Sequence, residues 1–355
     1  MDSIQYSAPG KVHFLGEHAV VYGKPAILAS VGLRCFVKLE RLDSEQIEVF
    51  SKDYNLKQTL TLSELLKKTQ KAKICWEKYI RTGDVNLLSE ITSEKLDYIF
   101  LCVGETLNFW SRRPSSGFRV LVSSEIPEGS GLGSSAALAV SVAAVMSEFL
   151  GEKFDNQIIS EIAFNIEKRK HGMPSGADPA TSANGGFIWF QKKSSQDIAI
   201  EQVITDADRF VDKFLLINTG APQESTGEMV AQVKKLYDKN PEFVKRIFSD
   251  QEQLVVQLRG VIERFDHVKI IEIIRQGEAN LDALGVVSDS SRKIILSVES
   301  IDGVAKICGG GGVVGATGIL LATSPHIKDL TKLLKKNKIP FFNVKIGVEG
   351  LRKEN

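Results

Sequence analysis

The chain has 355 residues, of which 43% are hydrophobic and 25% charged, and its formal net charge is only +1. That length suffices for one large domain or for two lobes sharing a core. The near balance of charge leaves no global field to draw the protein to nucleic acid or anionic lipid, so a local site must hold any anion. The four cysteines, Cys35, Cys75, Cys102 and Cys308, form no CxxC pair and no metal-ligand spacing with the five histidines. They read as small packing residues of a reduced, cytoplasmic protein. The stretch Met1–Tyr6 has neither the basic start nor the apolar run of a signal peptide, and no apolar run reaches membrane-spanning length.

The first 50 residues read as β structure, with apolar runs at Lys11–Leu15, Ala19–Tyr22 and Arg34–Leu39 set off by glycine and proline. Apolar periodicity predicts helices over Ser63–Arg81 and Glu94–Trp110. A strand at Phe118–Ser123 then leads into a Gly/Ser-rich turn, Glu128–Ser135, and a small-residue helix over Ala136–Leu150. Another helix is expected over Gln157–Lys170, with Ile159, Ile162, Ala163 and Ile166 on one face. The loop His171–Asp178 precedes a short helix and a strand at Gly186–Gln191. Beyond Ser194 come a strand at Phe214–Asn218 and long helices over about Glu224–Leu284 and Ser288–Ser300. A second glycine-rich segment, Gly309–Gly318, lies between two apolar strand-like runs, and a helix and a strand at Phe341–Val348 complete the pattern. An early β-rich section followed by alternating elements predicts a two-lobed α+β fold, divided at 1–194 and 195–355.

Three segments carry chemistry. In Pro127-Glu128-Gly129-Ser130-Gly131-Leu132-Gly133-Ser134-Ser135, glycines let the backbone turn its N–H groups toward a bulky anion. The helix start behind them adds free N–H groups and the positive end of its dipole. No GK[ST] follows and the third glycine falls one place early for a dinucleotide fingerprint, so neither standard loop is matched. A glycine-rich turn that merely caps a helix fits the same residues. In the second segment, Lys11 lies inside an apolar strand-like run, where an unpaired ammonium is costly and an anionic partner is wanted. Glu17 and His18 sit at a bend between apolar runs, where they can line a pocket or simply tip a surface hairpin. In the third, Glu167 extends the apolar face of its helix, an expensive place for a carboxylate without a cation or metal. Asp178 follows a loop constrained by Pro174 and either caps the next helix or takes part in chemistry.

Together these segments resemble the GHMP kinases, whose three motifs occur here in order between Pro9 and about Ala322. PxGxGLGSSAA is the most specific of them. Within the family, Gly16–Ala26 (GEHAVVYGKPA) and His171–Gly186 (HGMPSGADPATSANGG) are similar to the members that phosphorylate mevalonate; galactokinases usually carry GEHTDYNGG in the first place. Asn280–Val286 and Thr219–Thr226 resemble the family's NxxLxxLGV and TGxxxST stretches. Two positions depart: Pro179 stands where Asn usually follows the aspartate, and Val313 and Val314 stand where the third motif has glycines.

The resemblance implies a GHMP-kinase-like fold, with a mixed N-terminal lobe, an α/β C-terminal lobe and the active site in the cleft between them. It implies ATP bound with its phosphates on Gly129, Ser130, Gly131, Leu132, Gly133, Ser134 and Ser135, and Mg²⁺ held by Ser135 and Glu167, with Ser134 as the fallback. Asp178 would take or orient the hydroxyl proton, Lys11 would hold that carboxylate ionised, and Glu17 and His18 would contact the acceptor. The expected partners are ATP and a small-molecule acceptor, first mevalonate, then phosphomevalonate or a sugar; a homodimer stays open. A non-catalytic relative would have lost Lys11, Glu167 or Asp178, and all three are present.

Overall fold

The computed structural model describes residues 3–194 and 197–355. Strands β1 (Ser3–Leu15), β2 (Ala26–Arg41), β3 (Ile47–Ser51) and β4 (Leu56–Leu60) open the chain, followed by helices α1 (Leu62–Thr82), α2 (Asn86–Ser89) and α3 (Asp97–Phe109). Strand β5 (Phe118–Ser124) precedes α4 (Ser134–Phe149), α5 (Asn156–His171) and α6 (Ala177–Asn184), then the hairpin β6 (Phe187–Lys192) and β7 (Ile198–Val203). The remainder runs β8 (Phe214–Asn218), α7 (Thr226–Lys239), α8 (Pro241–Arg264), α9 (His267–Ala283), α10 (Asp289–Glu299), β9 (Val304–Ile307), β10 (Ile319–Thr323), α11 (Ile327–Lys336), β11 (Phe341–Val344) and β12 (Arg352–Lys353).

Among the described residues, eight strands form one sheet with the path β12-β1-β2-β5-β3-β4, from which β6 and β7 branch off β2. The other four form an antiparallel sheet, β11-β8-β10-β9. The long β2 makes the branch possible: Ala26–Ala29 pair with β6, and Cys35–Arg41 pair with β5. Helix α4 lies against β1 and β2. Its alanines at 136, 137, 139, 143 and 144 are fully buried, which lets its backbone approach the sheet, and Ser141 donates to the Cys35 carbonyl at 3.0 Å. Phe14 joins the two sheets, meeting Phe187 of the first at 5.6 Å and Phe214 of the second at 5.5 Å, both edge to face. One core therefore runs through both halves.

Most expected elements appear within a few residues of their predicted bounds, and the fold is the mixed α+β one. Ala19–Tyr22, read as an apolar β run, is instead a single 3₁₀ turn. Gly16 at φ 108° reverses the chain so tightly that a Cβ there would lie 2.6 Å from the Ala26 backbone, and no strand length remains. The long helical stretch after Glu224 is three helices. Pro241, which has no N–H, starts α8, and Phe265 at φ 53° breaks the chain before Asp266 caps α9. Strands β4 and β7 were not anticipated. β7 pairs with β6, so the first sheet continues past residue 194, and β12 returns to it from residue 352. None of the described helices is long and apolar enough to cross a membrane.

Candidate active site

Gly129, Gly131 and Gly133 all have positive φ (70°, 79° and 73°), a backbone that side-chain-bearing residues rarely adopt. They turn the chain from β5 into the N-terminus of α4, with Gly133 at the cap position. The loop is tied to β1 beneath it. The Lys11 N–H donates to the Leu132 carbonyl at 2.8 Å, and a Cβ on Gly133 would lie 2.9 Å from the Lys11 side chain. The lysine thus runs directly under the loop, with 5% of its surface exposed. Its ammonium meets Asp178 at 3.2 Å, and Asp178 is one-third exposed, open on its far side.

Asp178 occupies the first turn of α6, where the helix dipole favours a carboxylate. Pro179 is the next residue of that turn, and its missing N–H would have had no intrahelical partner. The first intrahelical bond instead runs from Ala180 N–H to the Gly176 carbonyl at 3.2 Å. Replacing Asn by Pro here leaves the helix and its aspartate in place.

Where α4 begins, the Ser135 hydroxyl donates to Glu167 at 3.2 Å; Glu167 comes from α5 and is 4% exposed. Tyr98 of α3 donates to the other oxygen of that carboxylate. Burial, then the Glu167 charge, pushes the Tyr98 phenol well above its ordinary range, so it remains a donor. His171, one helical turn beyond Glu167, lies 3.3 Å from the Ser135 hydroxyl. The turn at Gly172 is fixed by Trp76, whose indole N–H donates to the Gly172 carbonyl at 2.9 Å. Tyr98 and His171 escaped the sequence reading. Tyr98 falls in a helix that reads as core throughout, whereas the four-residue spacing of Glu167 and His171 was available as a signal.

Opposite the Gly129–Ser135 loop stands the second glycine-rich segment, Gly309–Gly318, which carries the third motif and forms the third loop. His18, at φ 58° and buried, meets the Gly310 carbonyl through Nε2 at 3.0 Å, and burial lowers its pKa, keeping the ring neutral. The carbonyl of Cys308 would lie 3.4 Å from a Cβ on Gly131, so the two loops adjoin. Glu17 is placed differently from the expectation that it contacts the acceptor. Its side chain is 1% exposed and its carboxylate is engaged by Lys306 of β9. The bend turns Glu17 inward while His18 faces the loop.

Comparison with known proteins places the chain in a family. The family model described as GHMP kinases N terminal domain matches residues 97–186. A mevalonate kinase of Thermococcus sibiricus is 31% identical over 98% of this chain and 98% of its own length. The chain belongs to the GHMP kinases. A second mevalonate kinase, from Pyrococcus furiosus, is 31% identical over 90% of this chain and 89% of its own. The crystal structure of the Methanococcus jannaschii mevalonate kinase superposes with a TM-score of 0.78 at 22% identity, covering 96% of this chain and 98% of that one. As a GHMP kinase the protein is an ATP-dependent small-molecule kinase.

The departure at Val313 and Val314 has a structural counterpart in this GHMP kinase. Both valines are exposed, and their backbone N–H groups donate to Glu224, at 3.3 and 3.0 Å. A carboxylate from the segment before α7 thus sits on the third loop.

Proposed function

We propose that this GHMP kinase transfers the γ-phosphoryl group of ATP to the hydroxyl of mevalonate, giving 5-phosphomevalonate for isoprenoid precursor synthesis. The observation that carries the chemistry is the Lys11–Asp178 pair, 3.2 Å apart under the phosphate loop and open on the aspartate's side. The choice of acceptor rests on the near-full-length likeness to mevalonate kinases at 31% identity.

In this reading the N–H groups of Gly129–Ser135 and the dipole of α4 hold the phosphates. Asp178 accepts or orients the acceptor's hydroxyl proton, and Lys11 keeps that carboxylate ionised while facing the charge that develops on the transferring group. His18 lines the acceptor side, and Glu17 supports it from below. The donors at Ser135 and Glu167 suit magnesium, being one hydroxyl and one carboxylate at the foot of the loop. Those two residues would hold the ion, which when bound would neutralise charge on the phosphates. The four cysteines are buried free thiols, which supports a place in the reducing cytoplasm.

The test is Asp178→Asn. Turnover of mevalonate should fall on the order of a hundredfold or more, with ATP binding kept. Turnover near the parent rate would leave Asp178 as a helix cap only. A parent that prefers phosphomevalonate or a sugar in an acceptor panel would overturn the acceptor.

A further inference from the structure

At the seam between the two sheets, charged side chains from three elements converge. Lys306 of β9 is wholly buried, with 0% of its side chain exposed. It donates to the Glu17 carboxylate, to the His13 carbonyl at 3.2 Å, and to the carbonyl of Ile307 beside it. Glu278, from α9, is also buried and accepts the Ile307 N–H at 3.0 Å. The helix is pressed on the end of β1 at this point, since a Cβ on Gly277 would lie 2.3 Å from the Leu15 side chain.

Such a group is expensive to bury, and well-packed apolar residues would serve stability as well or better. Burial pushes the Glu278 carboxyl up to about 8; Lys306 and the Ile307 N–H oppose this, and Glu17 and Asp282 add to it. Burial is the largest single influence on Lys306 and lowers it, but Glu17, Cys308 and Glu278 together raise it by more, and the ammonium is held raised. The seam thus holds one lysine–glutamate ion pair beside a second carboxyl whose pKa burial raises. His13, on β1, has its pKa lowered by burial first and then by the Lys11 and Lys306 charges. Its Nδ1, with Glu17 Oε2, Glu278 Oε1 and Gln251 Nε2, has no hydrogen-bond partner among the described residues, so packing alone does not account for the set.

The contacts fall on a particular stretch of chain. His13 lies two residues after Lys11, and Glu17 immediately before His18, so Lys306 grips the segment between the two residues that face the acceptor. We propose that Lys306 is a positioning residue for phosphoryl transfer: from the second sheet it clamps His13 and Glu17, with Glu278 completing its surroundings, and so sets Lys11 and His18 against the third glycine loop. The inference rests on the reading of Lys11, Asp178 and His18 as the acceptor side of the site.

The experiment separates positioning from stability. Lys306→Met leaves the Glu17 carboxylate buried and unpaired, so Tm and turnover both fall. Lys306→Met combined with Glu17→Gln removes that charge and should recover most of the Tm. In the double variant kcat should remain at least about tenfold down and the acceptor KM raised, with the ATP KM within about twofold of the parent, as for a misplaced reacting group. If kcat recovers together with Tm, Lys306 is structural and the proposal fails. Should the single variant not fold, the double alone decides. The kinetics are run on whichever acceptor the parent uses, so an acceptor other than mevalonate overturns the functional reading without touching this test. A parent inactive on every acceptor overturns both.

Discussion

Gly129 and Gly131 of one glycine-rich loop and Gly311 and Gly312 of the other use the same residue for opposite reasons. In the phosphate loop, a Cβ on Gly129 would meet nothing within 4 Å, and one on Gly131 only the Cys308 carbonyl at 3.4 Å. There glycine supplies backbone conformation and leaves space on the outside. In the third loop, a Cβ on Gly311 would lie 2.1 Å from the Val286 carbonyl, and one on Gly312 2.7 Å from the Ala316 carbonyl. The Gly312 N–H donates to that Val286 carbonyl at 3.0 Å, and the next two N–H groups donate to Glu224. At these two positions glycine permits close internal packing, and these three donors are turned to the protein. Glycine content alone does not distinguish a cradle from a clasp; what a side chain would strike does.

That contrast can be broken most decisively at Gly311. Gly311→Ala adds a clash with backbone to a positive φ, and should cost on the order of 4 kcal/mol in urea unfolding. A variant as stable as the parent would mean that the third loop is not packed as described. Glu278, which accepts the Ile307 N–H at the end of the strand leading into that loop, should also titrate. Glu278, raised from 4.5 to about 8 in the folded chain, binds its proton more tightly there than when unfolded. The stability it contributes is present below its ordinary range and lost as pH rises through about 8. Glu278→Gln cannot ionise, so its Tm should gain on the parent as pH climbs across that window and level off above it. A flat difference would show that Glu278 does not titrate in that window.

Gly129→Ala sharpens the other side. With no clash, only the left-handed backbone opposes it, about 1 kcal/mol. Its larger effect should be a several-fold rise in the ATP KM, and an unchanged KM would take Gly129 out of the nucleotide site. Smallest should be Glu224→Gln, about 0.5 kcal/mol at a partly exposed bond. Faster amide exchange confined to Val313 and Val314 would register it, and unaltered exchange would show that Glu224 does not hold them.

Much of the fold was legible because burial on one face imposes a period. Helix α5 carries Ile159, Ile162, Ala163 and Ile166 as a buried stripe, and β8 is buried along its length but for its last residue. Strands β4 and β7 have mostly exposed or half-buried residues, so neither alternation nor an apolar run marks them. The motif residues Lys11, Asp178, Ser135 and Glu167 could be named from the sequence, and the structure brings them together in pairs. The partners that tune them could not. Tyr98 reads as core, and Lys306 in a buried strand shows only that some anion must be near. That the anion is Glu17, from the far end of the chain, depends on how the two sheets meet.

The short strand β12 has a bearing on how the protein is made. It pairs with β1 at Tyr6 and Ser7, and just before it the carbonyls of Glu349 and Gly350 receive the guanidinium of Arg34 at 2.9 and 2.6 Å. Arg34 is 5% exposed, and burial lowers its pKa to about 10. On the ribosome, the sheet that carries Lys11 therefore has an open edge, and a cation short of acceptors, until residues 349–353 emerge. Threading the seal for the first sheet through residues 349–353 makes closure of that sheet wait on a segment 315 residues beyond Arg34.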